Sequence, residues 1–172
     1  ADENTLRADK DNLYYWRMNS RRMESQAIRD SLLFLGGALD LTIGGAPVMA
    51  SPDVRRRSLY LFHSRDNRSK FLTMFDDADV FACYRRSESI VPQQALAMMN
   101  SPFATTAAKQ IAATFGETLT PEEFVQTAFL KVVAREPNEA EMKVSLEYLQ
   151  KQPAREHFVT ALINLNDFVM IR

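Results

Sequence analysis

The 172-residue sequence predicts a mainly α-helical fold, an irregular helical bundle with one short β-hairpin or strand near residues 57–63. Three observations carry this expectation. Thr120-Pro121-Glu122-Glu123 and Asn138-Glu139-Ala140-Glu141 are capping boxes, in which the last carboxylate reaches back to the amide of the cap residue. Apolar residues recur at three- and four-residue spacing, which places them on one face of a helix. Pro92, Pro102 and Gly116 stand at the edges of these runs, where helices start and stop.

In chain order, residues 1–11 are polar and read as a linker, and residues 12–172 as a single helical domain. A helical turn is expected around residues 12–18, burying Leu13, Tyr14 and Trp16. The first long helix is expected from Ser20 to about Leu39, capped by Asn19 or Ser20. Met23, Ala27, Ile28, Leu32, Leu35 and Leu39 form its apolar stripe. Gly44-Gly45-Ala46-Pro47 and Ser51-Pro52-Asp53 then break the chain into a loop. The segment from Ser58 to His63 is β-prone and is the best strand candidate, with a partner near Leu41 to Ile43. Phe71, Leu72, Met74 and Phe75 indicate a brief helix that stops at the Asp76-Asp77-Ala78-Asp79 turn.

The rest is expected to be helical. Pro92 suits a first helical turn, since its missing N–H has no partner there. Ser101 caps the next helix, Pro102 opens it and Gly116 ends it. Phe124, Val125, Ala128, Phe129, Val132 and Val133 form the core face after the first capping box. Met142, Leu146 and Leu149 do the same after the second. A last helix starting at Pro153 carries Phe158, Val159, Leu162, Ile163 and Phe168. Agreement between start signals and hydrophobic period supports the helical reading.

Composition excludes several classes. No apolar run reaches the ~20 residues of a membrane span. Cys83 is the single cysteine, so an intramolecular disulfide and a Cys-rich zinc site are both ruled out. With no Cys-x-x-Cys-His, the segment holds no covalent c-type haem, and no cofactor is expected in it. Net charge is −1, distributed as +2 over residues 51–90 and −4 over residues 117–150. Nucleic-acid binding wants a dominant basic face, so it is not expected. The chain opens at Ala1 with polar residues and no signal peptide, and reads as a piece of a longer protein.

Candidate chemistry is sparse. Arg21, Glu24, Arg29 and Asp30 sit on the expected first helix, with Arg17 four residues before Arg21. They read as an ion-pair lattice between helices or, functionally, as carboxylates of a glycoside-cleaving cleft. Asp76, Asp77 and Asp79 are weak candidates for a hard cation, since calcium wants six to eight oxygens and the spaced EF-hand loop is absent; the plain alternative is a polar turn. His63 and His157 belong to no recognisable triad. Cys83 near Arg85 and Arg86 reads as a small buried hydrophobe rather than a nucleophile. Gln93, Gln94, Asn100, Asn164 and Asn166 are expected to clamp backbone groups, with sugar binding as the functional alternative. Gly44-Gly45 lacks the setting of a phosphate loop and reads as a turn.

Several motifs, in this order, resemble one family. They are Trp16-Arg17-Met18-Asn19 running into Ala27-Ile28-Arg29-Asp30-Ser31, Leu39-Asp40-Leu41-Thr42-Ile43-Gly44-Gly45, and Arg56-Arg57-Ser58-Leu59-Tyr60. Val91-Pro92-Gln93-Gln94-Ala95-Leu96 with Asn100-Ser101-Pro102-Phe103, Arg135-Glu136-Pro137 with Glu141, and Ala161-Leu162-Ile163-Asn164-Leu165-Asn166-Asp167-Phe168 follow. The chain is similar to the C-terminal domain of large planctomycete-type, cytochrome c-associated proteins, domain of unknown function 1553. The resemblance implies a periplasmic or extracellular parent protein with haem c elsewhere and a second uncharacterised domain upstream. It carries over no catalytic residues.

Two functions are therefore expected. The first is a non-catalytic interaction and scaffolding domain that binds the upstream domains of its own protein. The second is part of an enzyme acting on extracellular polymers such as polysaccharide, with an active site shared with the upstream domain. The second predicts a cleft lined by Arg17, Glu24, Arg29 or Asp30.

Overall fold

The computed structural model describes residues 3–82, 92–116 and 118–171. Among these residues the fold is mainly helical, with nine α-helices and one small antiparallel sheet. The segment expected as a linker carries α1 (Glu3–Ala8), which buries none of its residues. The turn after it is not helical: Asp9 caps it by accepting from the amides of Leu13 and Tyr14, each at 2.8 Å. Its side chains are not buried as expected. Leu13, Tyr14 and Tyr15 are largely exposed, while the half-buried Trp16 donates from Nε1 to the Asp9 carbonyl at 2.8 Å.

The long first helix is shorter than its hydrophobic period suggests. Its expected first turn is instead β1 (Arg21–Arg22), and the helix itself is α2 (Ser25–Leu35). Strand β1 pairs antiparallel with β2 (Met170–Ile171), Arg21 opposite Ile171 and Arg22 opposite Met170. The Met23 amide extends the pairing to the Val169 carbonyl at 2.8 Å. Long-range pairing thus takes the backbone donors that a helix would have used. Neither Asn19 nor Ser20 caps; Glu24 stands at the cap position without a side-chain cap bond. At the other end Gly36-Gly37 stops the helix, with Gly37 at φ +66°. Of the expected stripe, Ile28 and Leu32 are fully buried, Met23 and Leu35 are half-buried, and Ala27 is exposed.

The β-prone stretch after the glycine loop is a 3₁₀ turn, Ser58–Tyr60. Isolated parallel bridges flank it, Asp40 with Arg56 and Val48 with Leu61, rather than a hairpin with Leu41 to Ile43. The short helix α3 (Lys70–Met74) follows, capped by the Ser69 hydroxyl.

Downstream, local signals and structure agree. The next helices are α4 (Pro92–Asn100) and α5 (Pro102–Thr114), the latter capped by Ser101 Oγ accepting from the Ala104 amide at 3.1 Å. Both capping boxes are formed, opening α6 (Pro121–Val133) and α7 (Glu139–Lys151). The expected last helix is split into α8 (Arg155–Ile163) and α9 (Asn166–Val169).

The core forms around α5 and α8, which share the most extensive contact between elements. Ala104, Ala107, Ala108 and Ile111 lie on one buried face of α5. Three small side chains at this spacing let α8 approach closely. Phe124, Val125 and Phe129 of α6 meet Val159, Leu162 and Ile163 of α8 in the same cluster. Phe158 stands among aromatic rings, 5.8 Å from Phe124, 6.3 Å from Phe129 and 6.4 Å from Tyr148. Arg155 lies 4.7 Å above the Phe124 ring and donates to the carbonyls of Gly116 and Leu119, fastening the loop between α5 and α6.

Candidate functional site

Three polar clusters hold the candidate residues. The first is built on α2. Arg29 is nearly fully buried, and its guanidinium donates to the carbonyls of Val54 and Arg56 and to Ser58 Oγ. Asp30, next along the helix, accepts from the Ser58 amide at 2.8 Å and the Ser58 hydroxyl at 2.6 Å. The pair clasps residues 54–58 onto α2 and ends the extended run there. Burial lowers the pKa of Arg29 from its ordinary value, while the Asp30 charge and hydrogen bond act against that; an arginine stays protonated regardless.

The second cluster joins the N-terminal strand to the acidic turn after α3. Arg22 bonds Asp76 and also donates to Gln94 Oε1 of α4. Asp77 Oδ1 accepts from Gln26 Nε2 at 2.6 Å and from the Ala78 amide at 2.8 Å. Asp79 accepts from the amides of Phe81 and Ala82, and these bonds hold its carboxyl below the usual range. The acidic triplet is thus a polar turn whose members face different partners. Among the described residues no group of three or more His, Cys, Asp or Glu side chains could hold a metal ion.

The third cluster fixes the late helices. Arg135 grips both Glu141 oxygens at 2.7 Å and Asp167 Oδ2 at 2.9 Å. Such a planar fork on a carboxylate is the strong form of this bond. It holds the Glu141 carboxyl down at about 2, with the Asn138 amide contributing after it. The Arg135-Glu136-Pro137 motif therefore stitches α6, α7 and α9 together.

A cavity of about 450 Å³ opens between α2, the 3₁₀ turn and the acidic turn. Glu24 and Asp30 line it, together with Arg57, Phe62, His63 and Asp77. Arg17 and Arg21 are not among its lining residues; Arg17 is exposed over the Trp16 ring at 5.3 Å, and Arg21 is exposed on β1. Arg29 turns away from the cavity to the backbone of residues 54–56. Two of the five residues thus meet in a pocket.

His63 and Asp77 are the members that sequence reading did not connect. They lie apart in the chain, and Asp77 is anchored by Gln26 from 51 residues upstream. No local spacing announces such an assembly. His157 is exposed on α8. Cys83, Arg85 and Arg86 lie outside the described residues. Among the amides, Gln94 bonds Arg22, while Asn100 and Asn164 donate to carbonyls one turn back in their own helices.

No curated protein and no solved structure matches the chain. A family model described as PSD1, protein of unknown function (DUF1553), matches residues 1–149. The matched stretch contains the α2 clasp, the acidic turn and both capping boxes. With most of its length covered in this way, the chain belongs to the DUF1553 (PSD1) family, whose function is unknown.

Proposed function

We propose that this chain is an interaction and scaffolding domain, without catalysis of its own, in a larger protein. The observation that carries the reading is the number of large apolar side chains left in solvent outside the helical core. Tyr14, Tyr15, Ile43 and Leu59 are each more than two-thirds exposed. They lie in the two irregular segments at residues 13–18 and 41–62. A continuous run of exposed apolar side chains, as at Leu13, Tyr14 and Tyr15, marks a surface that buries against a partner. The charged groups support the same reading, since Arg29, Asp30, Arg135 and Glu141 are all spent on joining elements. The partner is the upstream part of the same protein, and by family resemblance that parent is exported and bears haem c elsewhere. The test produces the upstream part and this chain as separate proteins and measures their association by calorimetry. Tyr14→Ser and Ile43→Ser are expected to weaken binding about tenfold. Absence of association, or indifference to both changes, would sink the proposal.

One observation favours a second reading, part of a polymer-acting enzyme with polysaccharide as substrate. Glu24 and Asp30 do line one cavity, as a shared active site requires. Glu24→Gln in the full protein is the informative change, because Asp30 is also a structural clasp. Unchanged polymer turnover in that variant would remove this reading.

A further inference from the structure

Asp77, which lines the cavity, has a buried carboxylate oxygen with no hydrogen bond. Asp77 is anchored through Oδ1, which takes both the Gln26 side-chain bond and the Ala78 amide bond. Oδ2 is buried and accepts no hydrogen bond. It faces His63 Nδ1 at 3.5 Å, the Asp77 side chain being 3% exposed and that of His63 36% exposed. A desolvated acceptor of this kind is costly unless it meets a donor. The imidazole supplies one when its proton sits on Nδ1. Nε2 then carries the lone pair of the ring. Free imidazole does not choose its tautomer this way on its own; a second group bonded to the other nitrogen makes the choice.

We propose that Asp77 holds His63 as an oriented hydrogen-bond acceptor, and that the cavity binds a neutral, hydroxyl-bearing ligand whose O–H donates to His63 Nε2. Ligand class follows from the lining. Glu24, Asp30 and Asp77 outnumber Arg57 and His63, which disfavours an anion. The described residues offer no three-ligand cluster, which disfavours a metal ion. Arg57 brings donors, Glu24 brings a carboxylate, and the Phe62 ring brings an apolar face. That mixture suits a ligand that presents hydroxyls on one side and C–H groups on the other. A volume of about 450 Å³ accommodates one of sugar size. The inference concerns the cavity of the second reading above, yet its test does not depend on polymer turnover.

The test is ¹⁵N NMR of the intact chain at pH 8.5, where both imidazoles are observed and His157 serves as the exposed control. The expected result is the Nδ1–H tautomer at His63 and the ordinary Nε2–H preference at His157. Asp77→Asn keeps the Oδ1 anchors and turns the other position into an amide donor, so it is expected to flip His63 to Nε2–H. The wild-type spectrum decides this half even if the variant fails to fold: an Nε2–H tautomer at His63 overturns it. For the ligand half, methyl glucoside, methylamine and sodium phosphate are each titrated to 100 mM. A saturable shift of the His63 signals with methyl glucoside, absent at His157 and lost in Asp77→Asn, is the expected result. A response to the amine or phosphate alone, or to none of the three, overturns the ligand assignment.

Discussion

Glu141 shows what a single residue does here. It serves twice, as the reciprocal carboxylate of the α7 capping box and as the receiver of the Arg135 fork. Because its folded value of about 2 lies below the roughly 4.3 of an unfolded glutamate, it contributes stability that is complete above pH 5. That contribution is lost as pH falls through 2. Glu141→Gln is expected to cost about 1 kcal/mol at pH 7, or roughly 2–4 °C in Tm. Thermal unfolding followed by circular dichroism should show the gap from wild type closing between pH 5 and pH 2. A gap that stays constant over that range would contradict the assignment. Residues whose partners are close in the chain were legible in this way. Asn138 and Glu141 sit in one turn, so their spacing alone announces the bond. Asp30 and Ser58 are 28 residues apart, and no spacing rule connects them.

Elements departed from their local propensities wherever a distant backbone or side chain competed for hydrogen bonds. The segment from Ser58 is β-prone, yet the Ser58 amide donates to Asp30 instead of a neighbouring strand, and the chain turns. Residues 21 and 22 fit a helical pattern, yet they pair with β2. The stop of α2 at Leu35, by contrast, is local: Gly36-Gly37 ends the helix although the apolar period continues past it. One helix end carries strain. Ala134 closes α6 in the left-handed region at φ +55°, where a Cβ crowds the following carbonyl. Ala134→Gly is therefore expected to stabilise the protein by about 0.5–1 kcal/mol. Urea denaturation should show a raised midpoint with an unchanged slope. A lowered midpoint would mean that the alanine side chain contributes packing that its exposure does not suggest.

Across the whole molecule, burial is unevenly shared. The core gathers on α5, α6 and α8, whereas α1 buries nothing and residues 13–15 stand in solvent. Local opening costs least where few apolar contacts must be broken. Native-state hydrogen exchange is thus expected to protect α5 and α8 longest and to exchange α1 and residues 13–18 first. Exchange of α5 as early as α1 would contradict the core described here. The same unevenness underlies the interaction reading, because the weakly buried segments are those that present tyrosines and aliphatic side chains to solvent.

By itself the sequence determined the helical class, the helix starts at residues 102, 121 and 139 and most of the core faces, because caps and hydrophobic period act within one or two turns. Only the tertiary structure decided where the small sheet forms, how Arg29 and Asp30 are spent, and that His63 meets Asp77 in a cavity. Those outcomes depend on which distant groups satisfy a buried donor or acceptor, and that competition is settled by the packing of α2 against the segments that follow it, not by the spacing of residues along it.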